Sequence, residues 1–416
     1  MQKPRWLTLV SILAVFALVG AACNGDEPDT GGTPGGDDRI EVTVYGQGAW
    51  TGGANGLVLP SMQSAQIRFD ELNAEEGYPA TITFEQADTQ GSGDNAPPVA
   101  QGAAEDPNTV AIMGPAFSGE SRASGDTYDE AGIPFVTASA TAVDLAEFDW
   151  DFWYRTIGHD GLQSDLAARW VAEVIKPESL FILHDTTDYG QPLAEAVEVA
   201  AKAAGITIAG KAGIPEPAIN TGTTVNFSSI ISDVSDSGAD ALFFGGYDVD
   251  SGPFLSQAAD AGLDIQVISG DGSVSSSLLE LGGDATEGTL LLAPSNIYSD
   301  FTTKYQAEVG ADSFTVAIYA AEGYDAAGLI GEGIKQAIEG GAETPEDIRA
   351  GIKEYLDSVT SEDGQFDGEA KDFFFDADTH ELGLEAEELY FFYEVVRADG
   401  ELTLENLGNA TVVLGG

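Results

Sequence analysis

VAIMGPAFSGES, at residues 110–121, joins a short apolar run to a polar loop that leads into a helical pattern. The apolar run at 110–113 predicts a strand, and the same order of strand, polar loop and helix recurs along the chain. Such alternation is typical of an α/β fold, in which helices cover both faces of a mostly parallel sheet.

The alternation extends in both directions from this stretch. Strands are predicted at 41–45, 81–85, 110–113, 135–137, 180–183, 241–245 and 266–269. Helices are predicted at 57–72, 99–104, 193–204, 227–237 and 254–261, and the first has Met62, Ala65, Phe69 and Leu72 on one face. The rhythm is interrupted near 150–159 and then restarts. Two similar α/β lobes are the simplest account of this arrangement.

The chain is strongly acidic. Its 416 residues are enough for two domains, and its 16 basic and 70 acidic residues give a formal net charge of -54. A surface of this sign repels nucleic acid and anionic lipid, so neither is an expected partner. The carboxylates are scattered along the chain, which favours a role in solubility over a role in binding cations.

The N-terminus predicts export and a lipid anchor. Lys3 and Arg5 precede an apolar segment at 6–18 and small residues that end at Cys23, the chain's single cysteine. This layout is typical of a secretory signal, and the cysteine after it resembles a bacterial lipoprotein processing site. We expect residues 1–23 to be the signal with Cys23 lipidated, and 24–38 to be a flexible acidic Gly/Pro tether. The alternative is a free cysteine.

Polar side chains follow several of the predicted strands. A helix beginning at Ser118 would present free backbone N–H groups, and Ser139 and Thr141 follow the next strand. Asp271 follows a strand of the second lobe and could pair with an ammonium group. Since ligands of open α/β sheets bind beyond the carboxyl ends of the strands, these groups predict a site for a small zwitterion. The alternative is that Ser118 is only a helix cap and Thr141 only a turn residue.

The order of these motifs resembles one family. The chain has GP at 114–115, SG at 118–119, AGIP at 131–134, SAT at 139–141 and YRT at 154–156. It continues with HD at 184–185, YG at 189–190, GGY at 245–247 and GDG at 270–272. This series is similar to the Leu/Ile/Val-binding proteins, the type I substrate-binding proteins of ATP-driven amino-acid importers.

The resemblance implies a fold and a set of domain boundaries. It implies two three-layer α/β/α lobes with parallel-type sheets, joined by a three-strand hinge. The first lobe would hold 39–157 and 294–364, and the second 158–293 and 365–416.

The resemblance also implies which residues bind the ligand. Ser118, the Ser139 backbone and Thr141 would hold the carboxylate and amino groups, with Ala140 in the same loop, and Asp271 would bind the ammonium. Tyr189 and Tyr247 would close over the ligand, and Trp50 would lie in the side-chain pocket. Asp271 is shorter than the glutamate of the best-known members, and Phe117 stands where some of them have a disulfide.

These expectations describe a monomeric binding protein without a cofactor, a metal or catalytic residues. It would capture an aliphatic amino acid outside the cytoplasm and deliver it to an ABC permease. The alternatives are an amide or urea receptor of the same fold and a ligand-sensing surface lipoprotein. An enzyme is disfavoured because His159, His184 and His380 form no metal-binding pair, and Ser118 lacks the two glycines of a nucleophile elbow. A calcium loop at Asp376, Asp378, His380 and Glu387 is disfavoured because Glu381 stands where the glycine is required.

Overall fold

A computed structural model describes residues 39–311, 315–361, 364–384 and 386–415 of the chain. The predicted signal at 1–23, including Cys23, and the predicted tether at 24–38 lie outside the described residues. Within the ranges described, no helix is both long enough and apolar enough to cross a membrane.

The first sheet contains five strands among the described residues, in the order β2-β1-β3-β4-β5, and all of its paired strands are parallel. The strands are β1 (Ile40–Gly48), β2 (Ala80–Asp88), β3 (Thr109–Met113), β4 (Phe135–Thr137) and β5 (Trp153–Arg155). They alternate with the helices α1 (Asn55–Ala74), α2 (Ala96–Glu105) and α3 (Ser118–Glu130).

The second sheet contains seven strands among the described residues, in the order β12-β11-β10-β9-β8-β6-β7. The strands are β6 (Ser179–His184), β7 (Thr207–Gly213), β8 (Ala241–Gly245), β9 (Gln266–Ser269), β10 (Leu290–Ala293), β11 (Phe391–Ala398) and β12 (Glu401–Asn409). The helices between the first five are α5 (Gly190–Ala203), α6 (Ala218–Thr221), α7 (Ser228–Ser237), α8 (Asp248–Asp260) and α9 (Ser276–Gly282), and α4 (Asp160–Trp170) precedes β6.

Three further helices follow β10 and return to the first sheet. They are α10 (Asp300–Val309), α11 (Ala320–Glu339) and α12 (Pro345–Ser358), while the short helices α13 (Ala386–Leu389) and α14 (Ala410–Leu414) flank the last two strands. Tyr78 donates from its hydroxyl to the Gly331 carbonyl of α11 at 2.8 Å, and Arg349 of α12 donates to the Thr109 carbonyl at 2.7 Å. These bonds and the apolar contacts around them attach the returning helices to the first lobe.

The predicted alternation of strands and helices is confirmed. Every residue of β3 and β8 is buried, as expected for a strand covered by helices on both faces. Met62, Ala65, Phe69 and Leu72 of α1 are also buried. The sequence predicted an interruption of the alternation near 150–159. The structure differs there, because this stretch contains β5, which pairs with β4 at the edge of the first sheet.

The second sheet ends in an antiparallel hairpin rather than in further parallel strands. β11 pairs antiparallel with both β10 and β12. Asp399 and Gly400 form the two-residue connection between β11 and β12, with φ angles of 52° and 95°. A connection with both φ angles positive matches the twist of a hairpin, and Asp-Gly is a preferred sequence for it.

The chain passes between the two sheets three times in the described residues: after β5, after β10 and after α12. The segment 364–384 contacts the first lobe, since the Arg155 N–H donates to the His380 carbonyl at 3.1 Å and the Glu369 N–H donates to Asp325 of α11 at 2.7 Å. We therefore propose that the first lobe extends to about residue 384, with the second lobe resuming at α13.

Candidate ligand site between the two lobes

The carboxyl ends of the two sheets face each other across a narrow cavity. The cavity volume is about 10 Å³, so the two lobes lie in close contact around it. The lining residues come from both lobes and are Leu57, Val58, Ala116, Phe117, Ser118, Ser139, Thr141, Tyr189, Tyr247, Asp271 and Tyr319. The site therefore forms only when the two lobes are together.

Hydrogen-bond donors lie on the first-lobe side of the cavity. Ser118 is the first residue of α3, and its hydroxyl oxygen accepts from the Ala142 N–H at 3.2 Å. The hydroxyl proton of Ser118 is therefore available to donate to a ligand. The Ser139 N–H makes only a long contact of 3.5 Å with the Thr137 hydroxyl. Because the first N–H groups of a helix have no partner within it, this wall is suited to a carboxylate.

Phe117, rather than Ser118, occupies the cap position of α3. The Phe117 N–H donates to the carboxyl group of Glu120 at 3.3 Å, and the Thr89 hydroxyl donates to the same group. Burial raises the pKa of Glu120 to about 8, and these hydrogen bonds oppose the rise. Glu120 thus fixes the loop that precedes Ser118 and leaves the Ser118 hydroxyl free for other contacts.

Asp271 lies on the second-lobe side and is fully buried. Its carboxyl group accepts hydrogen bonds from the Gln163 amide, from the Tyr189 hydroxyl at 2.8 Å and from the Tyr319 hydroxyl. Burial raises the pKa of Asp271, and these three donors oppose the rise. A carboxylate has about four acceptor positions, so one remains for a ligand.

Asp160 is a second buried acid behind the Thr141 loop. Its N–H donates to the Thr141 carbonyl at 2.8 Å. The Thr141 hydroxyl lies close enough to favour the charged form, yet neither carboxyl oxygen has a partner of good geometry among the residues described. Burial and the nearby charge of Asp271 raise the pKa of Asp160 well above its usual value. Asp160 does not itself line the cavity, so Asp271 is the acid that a ligand would meet there.

Aromatic rings cover the cavity from both lobes. Tyr189 and Tyr247 pack with ring centroids 4.9 Å apart, and Phe117 meets Tyr247 edge to face at 5.3 Å. Asp185 fixes these loops, because its carboxyl group accepts from the Tyr247 N–H at 3.0 Å and from the Thr187 N–H at 3.0 Å. Burial raises the pKa of Asp185 to about 6.

Close backbone packing also holds the tyrosines in place. A Cβ atom added at Gly272 would lie 2.6 Å from the Tyr189 ring and 2.7 Å from the Gly246 carbonyl oxygen. The absence of a side chain at this position therefore allows Tyr189 to reach Asp271.

The structure brings most of the predicted site residues together and leaves two outside. Six of them line the cavity: Ser118, Ser139, Thr141, Tyr189, Tyr247 and Asp271. Trp50 instead packs against the Phe84 ring and donates from its indole to the Gly46 carbonyl at 2.7 Å. Ala140 does not line the cavity, and its carbonyl oxygen accepts from Arg155 at 3.2 Å.

Five residues that line the cavity were not predicted as site residues: Leu57, Val58, Ala116, Phe117 and Tyr319. Tyr319 precedes α11 without a strand before it, and Leu57 and Val58 lie at the start of α1. Asp160, which lies behind the lining, is the first residue of α4 and follows the end of β5 by five residues. An acidic residue directly after a polar loop at a lobe crossover was the available indication for Asp160.

Arg122 makes a contact between the two lobes outside the cavity lining. Arg122 of α3 donates to the Asp188 carbonyl oxygen at 2.8 Å, and the same nitrogen lies 3.2 Å from the Asp188 carboxylate. Its guanidinium group also pairs with Asp144, with a bond of 2.8 Å from Nε. Arg122 therefore joins two elements of the first lobe to the loop that carries Tyr189.

No group of three or more His, Cys, Asp or Glu side chains suited to a metal ion occurs in the described part of the chain. Asp376, from the acidic loop considered for calcium, uses its Oδ1 atom to accept from the N–H groups of Asp378 and Thr379 at 3.0 and 2.9 Å.

Comparison with known proteins identifies the relatives of this chain. The sequence profile of a family described as periplasmic binding protein matches residues 49–400. A leucine-, isoleucine-, valine-, threonine- and alanine-binding protein from Pseudomonas aeruginosa is 30% identical over 244 residues. That match covers 58% of this chain and 63% of the relative, so the chain spans less than two thirds of the relative's length.

Solved structures share the fold at lower sequence identity. A leucine-binding protein from Thermotoga maritima superposes with a TM-score of 0.72 at 22% identity, covering 88% of this chain and 97% of that one. A solute-binding protein from Rhodopseudomonas palustris in complex with 4-hydroxybenzoate superposes with a TM-score of 0.70 at 20% identity, covering 88% and 96%. At these identities the likeness shows the fold alone.

Proposed function

Because this chain belongs to the periplasmic binding protein family, we propose that it captures a small aliphatic L-amino acid between its lobes. The observation that carries the proposal is the opposition of two chemistries across one cavity. Ser118 and the Ser139 N–H face the cavity from the first lobe, and the buried acid Asp271 faces it from the second. This arrangement matches the carboxylate and ammonium groups of an α-amino acid.

The apolar part of the lining supports an aliphatic side chain. Leu57, Val58 and Ala116 line the cavity beside the Phe117 ring. Such a wall gains free energy by burying methyl and methylene groups, about 0.8 kcal/mol for each CH₂ group. A polar side chain would lose its hydration there without a partner. The named specificity of the Pseudomonas aeruginosa relative is consistent with this proposal.

A neutral amide or urea is the second candidate ligand. The observation in its favour is that Asp271 already accepts three hydrogen bonds, so it is satisfied without an ammonium group. Asp160 and Asp271 also have raised pKa values, which would allow a protonated acid to donate to an amide carbonyl. The remaining acceptor position of the Asp271 carboxyl group favours the ammonium.

A thermal-shift screen tests the proposal, because a ligand that binds only the native state raises the melting temperature. We expect leucine, isoleucine or valine to raise the Tm, with glutamate and lysine as controls that leave it unchanged. Acetamide and urea test the second candidate. A rise with the amides and none with any amino acid would replace the first proposal by the second.

We further propose that the protein acts outside the cytoplasm as a monomer that delivers its ligand to an ABC permease. The lipid on Cys23 would anchor it to the membrane. Cys23→Ser should release the protein into the medium or periplasm, while the ligand affinity stays unchanged. Mass spectrometry of the membrane-associated wild-type protein would contradict the anchor if it found an unmodified cysteine.

A further inference from the structure

The turn at 376–382 lies along the edge of the first sheet, beside β5. The Arg155 N–H donates to the His380 carbonyl at 3.1 Å, and the His380 Nδ1 atom lies 3.0 Å from the Trp153 carbonyl oxygen. The imidazole also stacks on the Tyr154 ring with centroids 4.5 Å apart. The turn therefore covers an edge that would otherwise present unpaired backbone groups.

Local hydrogen bonds give this turn its shape. Asp376 accepts from the N–H groups of Thr379 and Asp378, and these bonds lower the pKa of Asp376. His380 follows with a φ of 57°, in the left-handed region. The chain reverses there, and the next side chain, Glu381, reaches Arg155.

Arg155 connects Glu381 to the ligand loop. Its guanidinium group is fully buried and donates to the Ala142 carbonyl at 2.7 Å and to the Ala140 carbonyl at 3.2 Å. A second nitrogen donates to Glu381. Ala140 and Ala142 are the neighbours of Thr141 in the chain, so one planar guanidinium holds backbone carbonyl groups before and after a cavity-lining residue.

The charge of Arg155 needs its partner. Burial lowers the pKa of Arg155 to about 10, and the charge of Asp160 opposes this shift, so the group remains a cation at neutral pH. A buried cation without an adjacent anion is unfavourable and tends to seek another acceptor. Without Glu381, the guanidinium would move toward Asp160 and release the loop.

We propose that Arg155 and Glu381 are a positioning pair that holds the 139–142 loop in its ligand-binding conformation. The inference rests on the proposed function, because this loop forms part of the wall for the ligand carboxylate. Neither side chain lines the cavity, and both act through the loop. The turn that resembled a weak calcium loop thus supports the ligand site from behind.

Glu381→Gln tests the pair because it keeps the shape of the side chain and removes its charge. We expect the Kd for L-leucine to rise about 10-fold, the loss typical of one misplaced hydrogen bond to a charged group. The factor should be the same for L-alanine, because the loop faces the head group and not the side chain. Asp378→Asn removes a charge from an exposed position in the same turn and should leave the Kd unchanged.

Amide hydrogen exchange of the ligand-free protein gives a second, ligand-independent readout. Exchange of a peptide covering 137–143 should be faster in Glu381→Gln than in the wild type or in Asp378→Asn. If Glu381→Gln does not fold, Arg155→Lys takes its place. Lysine keeps the positive charge but cannot donate to Glu381 and to the loop carbonyls from separate nitrogens.

The outcomes separate the two proposals. A wild-type protein that binds no amino acid refutes the proposed function, and the exchange measurement still tests the pair. The positioning role is wrong if a folded Glu381→Gln variant shows the same amide exchange at 137–143 and the same Kd for L-leucine as the wild type.

Discussion

Asp271 combines two roles in one carboxyl group. It accepts from Gln163, Tyr189 and Tyr319, and thereby joins three elements of the closed site. It also faces the cavity, where an ammonium group would find an acceptor. Mutation can separate the contribution of Asp271 to ligand binding from that of Thr141 on the first-lobe side of the cavity.

Asp271→Ala should weaken an aliphatic amino acid severely, because removal of one partner from a buried charge pair costs on the order of 3–5 kcal/mol. Thr141→Ala should cost less, about 1.5–3 kcal/mol for a lost hydrogen bond to a charged group. Calorimetry on both variants measures the difference. Asp271→Ala with wild-type affinity for the amino acid would exclude Asp271 as the ammonium partner.

Glu120 should make the stability of the protein depend on pH. Its pKa in the folded state is raised to about 8 by burial, above the value of 4.5 expected without burial. The folded state therefore gains stability from the bound proton at low pH, and loses it as the pH rises from about 4.5 through 8. Urea denaturation measures this effect. Between pH 5 and pH 8 the unfolding free energy of Glu120→Gln should fall less than that of the wild type.

The control for Glu120 lies on the same helix. Glu130 of α3 is exposed, so Glu130→Gln should retain the wild-type pH dependence. Equal pH dependence in Glu120→Gln and the wild type would show that Glu120 is ionised in the folded protein at pH 5.

The sequence predicts those site residues that directly follow strands. Ser118 and Asp271 follow buried strands, and the carboxyl ends of parallel strands meet at one edge. Trp50 also follows a strand, but its indole donates to the carbonyl of Gly46, four residues earlier in β1, and Trp50 does not line the cavity. Tyr319 could not be predicted, because its approach to Asp271 depends on the return of the chain after β10.

Among the helices, α3 carries both a cavity-lining residue that we propose binds the ligand and a contact between the lobes. Ser118 begins the helix, and Arg122 lies one turn later and donates to Asp188 of the opposite lobe. Asp188 precedes Tyr189, so the contact holds the loop that covers the ligand. Arg122 is partly exposed, and the ion pair alone is therefore worth at most about 1 kcal/mol.

Arg122→Gln should mainly accelerate ligand release. Because the contact joins the two lobes, its loss should raise the dissociation rate by up to about 5-fold, as expected for at most about 1 kcal/mol. The association rate should change little. Stopped-flow fluorescence measures both rates.

Arg397→Gln is the matched control for this prediction. Arg397 pairs with Asp284 and Glu287 within the second lobe, far in sequence from the cross-lobe contact. Dissociation from Arg122→Gln at the wild-type rate would show that the contact between the lobes does not retain the ligand.

Element type could be predicted wherever the hydrophobic period was strong. Four of the five residues of β3, and the buried face of α1, match the predictions. β5 was missed because its three residues end in the charged Arg155 and lie within a stretch of aspartates, and they become a strand only by pairing with β4 at the sheet edge. The hairpin of β11 and β12 was predictable from Asp399-Gly400, a dipeptide that favours a two-residue turn.

At the scale of the whole molecule, the net charge of -54 and the ligand site are separate properties. The charge is scattered over the surface, while the site is enclosed between the lobes and lined by few charged groups. Salt screens exposed charges over about 10 Å at 0.1 M and has less effect on buried pairs.

Ligand affinity should therefore change little between 0.1 and 1 M NaCl, whereas self-repulsion between molecules should weaken. Calorimetry at both salt concentrations measures the first, and light scattering measures the second. A calcium requirement for binding that a chelator abolishes would instead assign a functional role to the acidic side chains.

We propose that the cavity recognises both charged groups of an α-amino acid. Calorimetry of the wild-type protein with three matched ligands tests it most directly: L-leucine, 4-methylpentanoate, which lacks the ammonium, and leucinamide, which lacks the carboxylate. The opposed chemistries of Ser118 and Asp271 predict that L-leucine binds with one site per chain. Each of the other two should bind at least about 100-fold more weakly, because a buried charge is then left unpaired. Binding of 4-methylpentanoate as tightly as L-leucine would contradict the account, since the acids of the second lobe would then have no ligand partner.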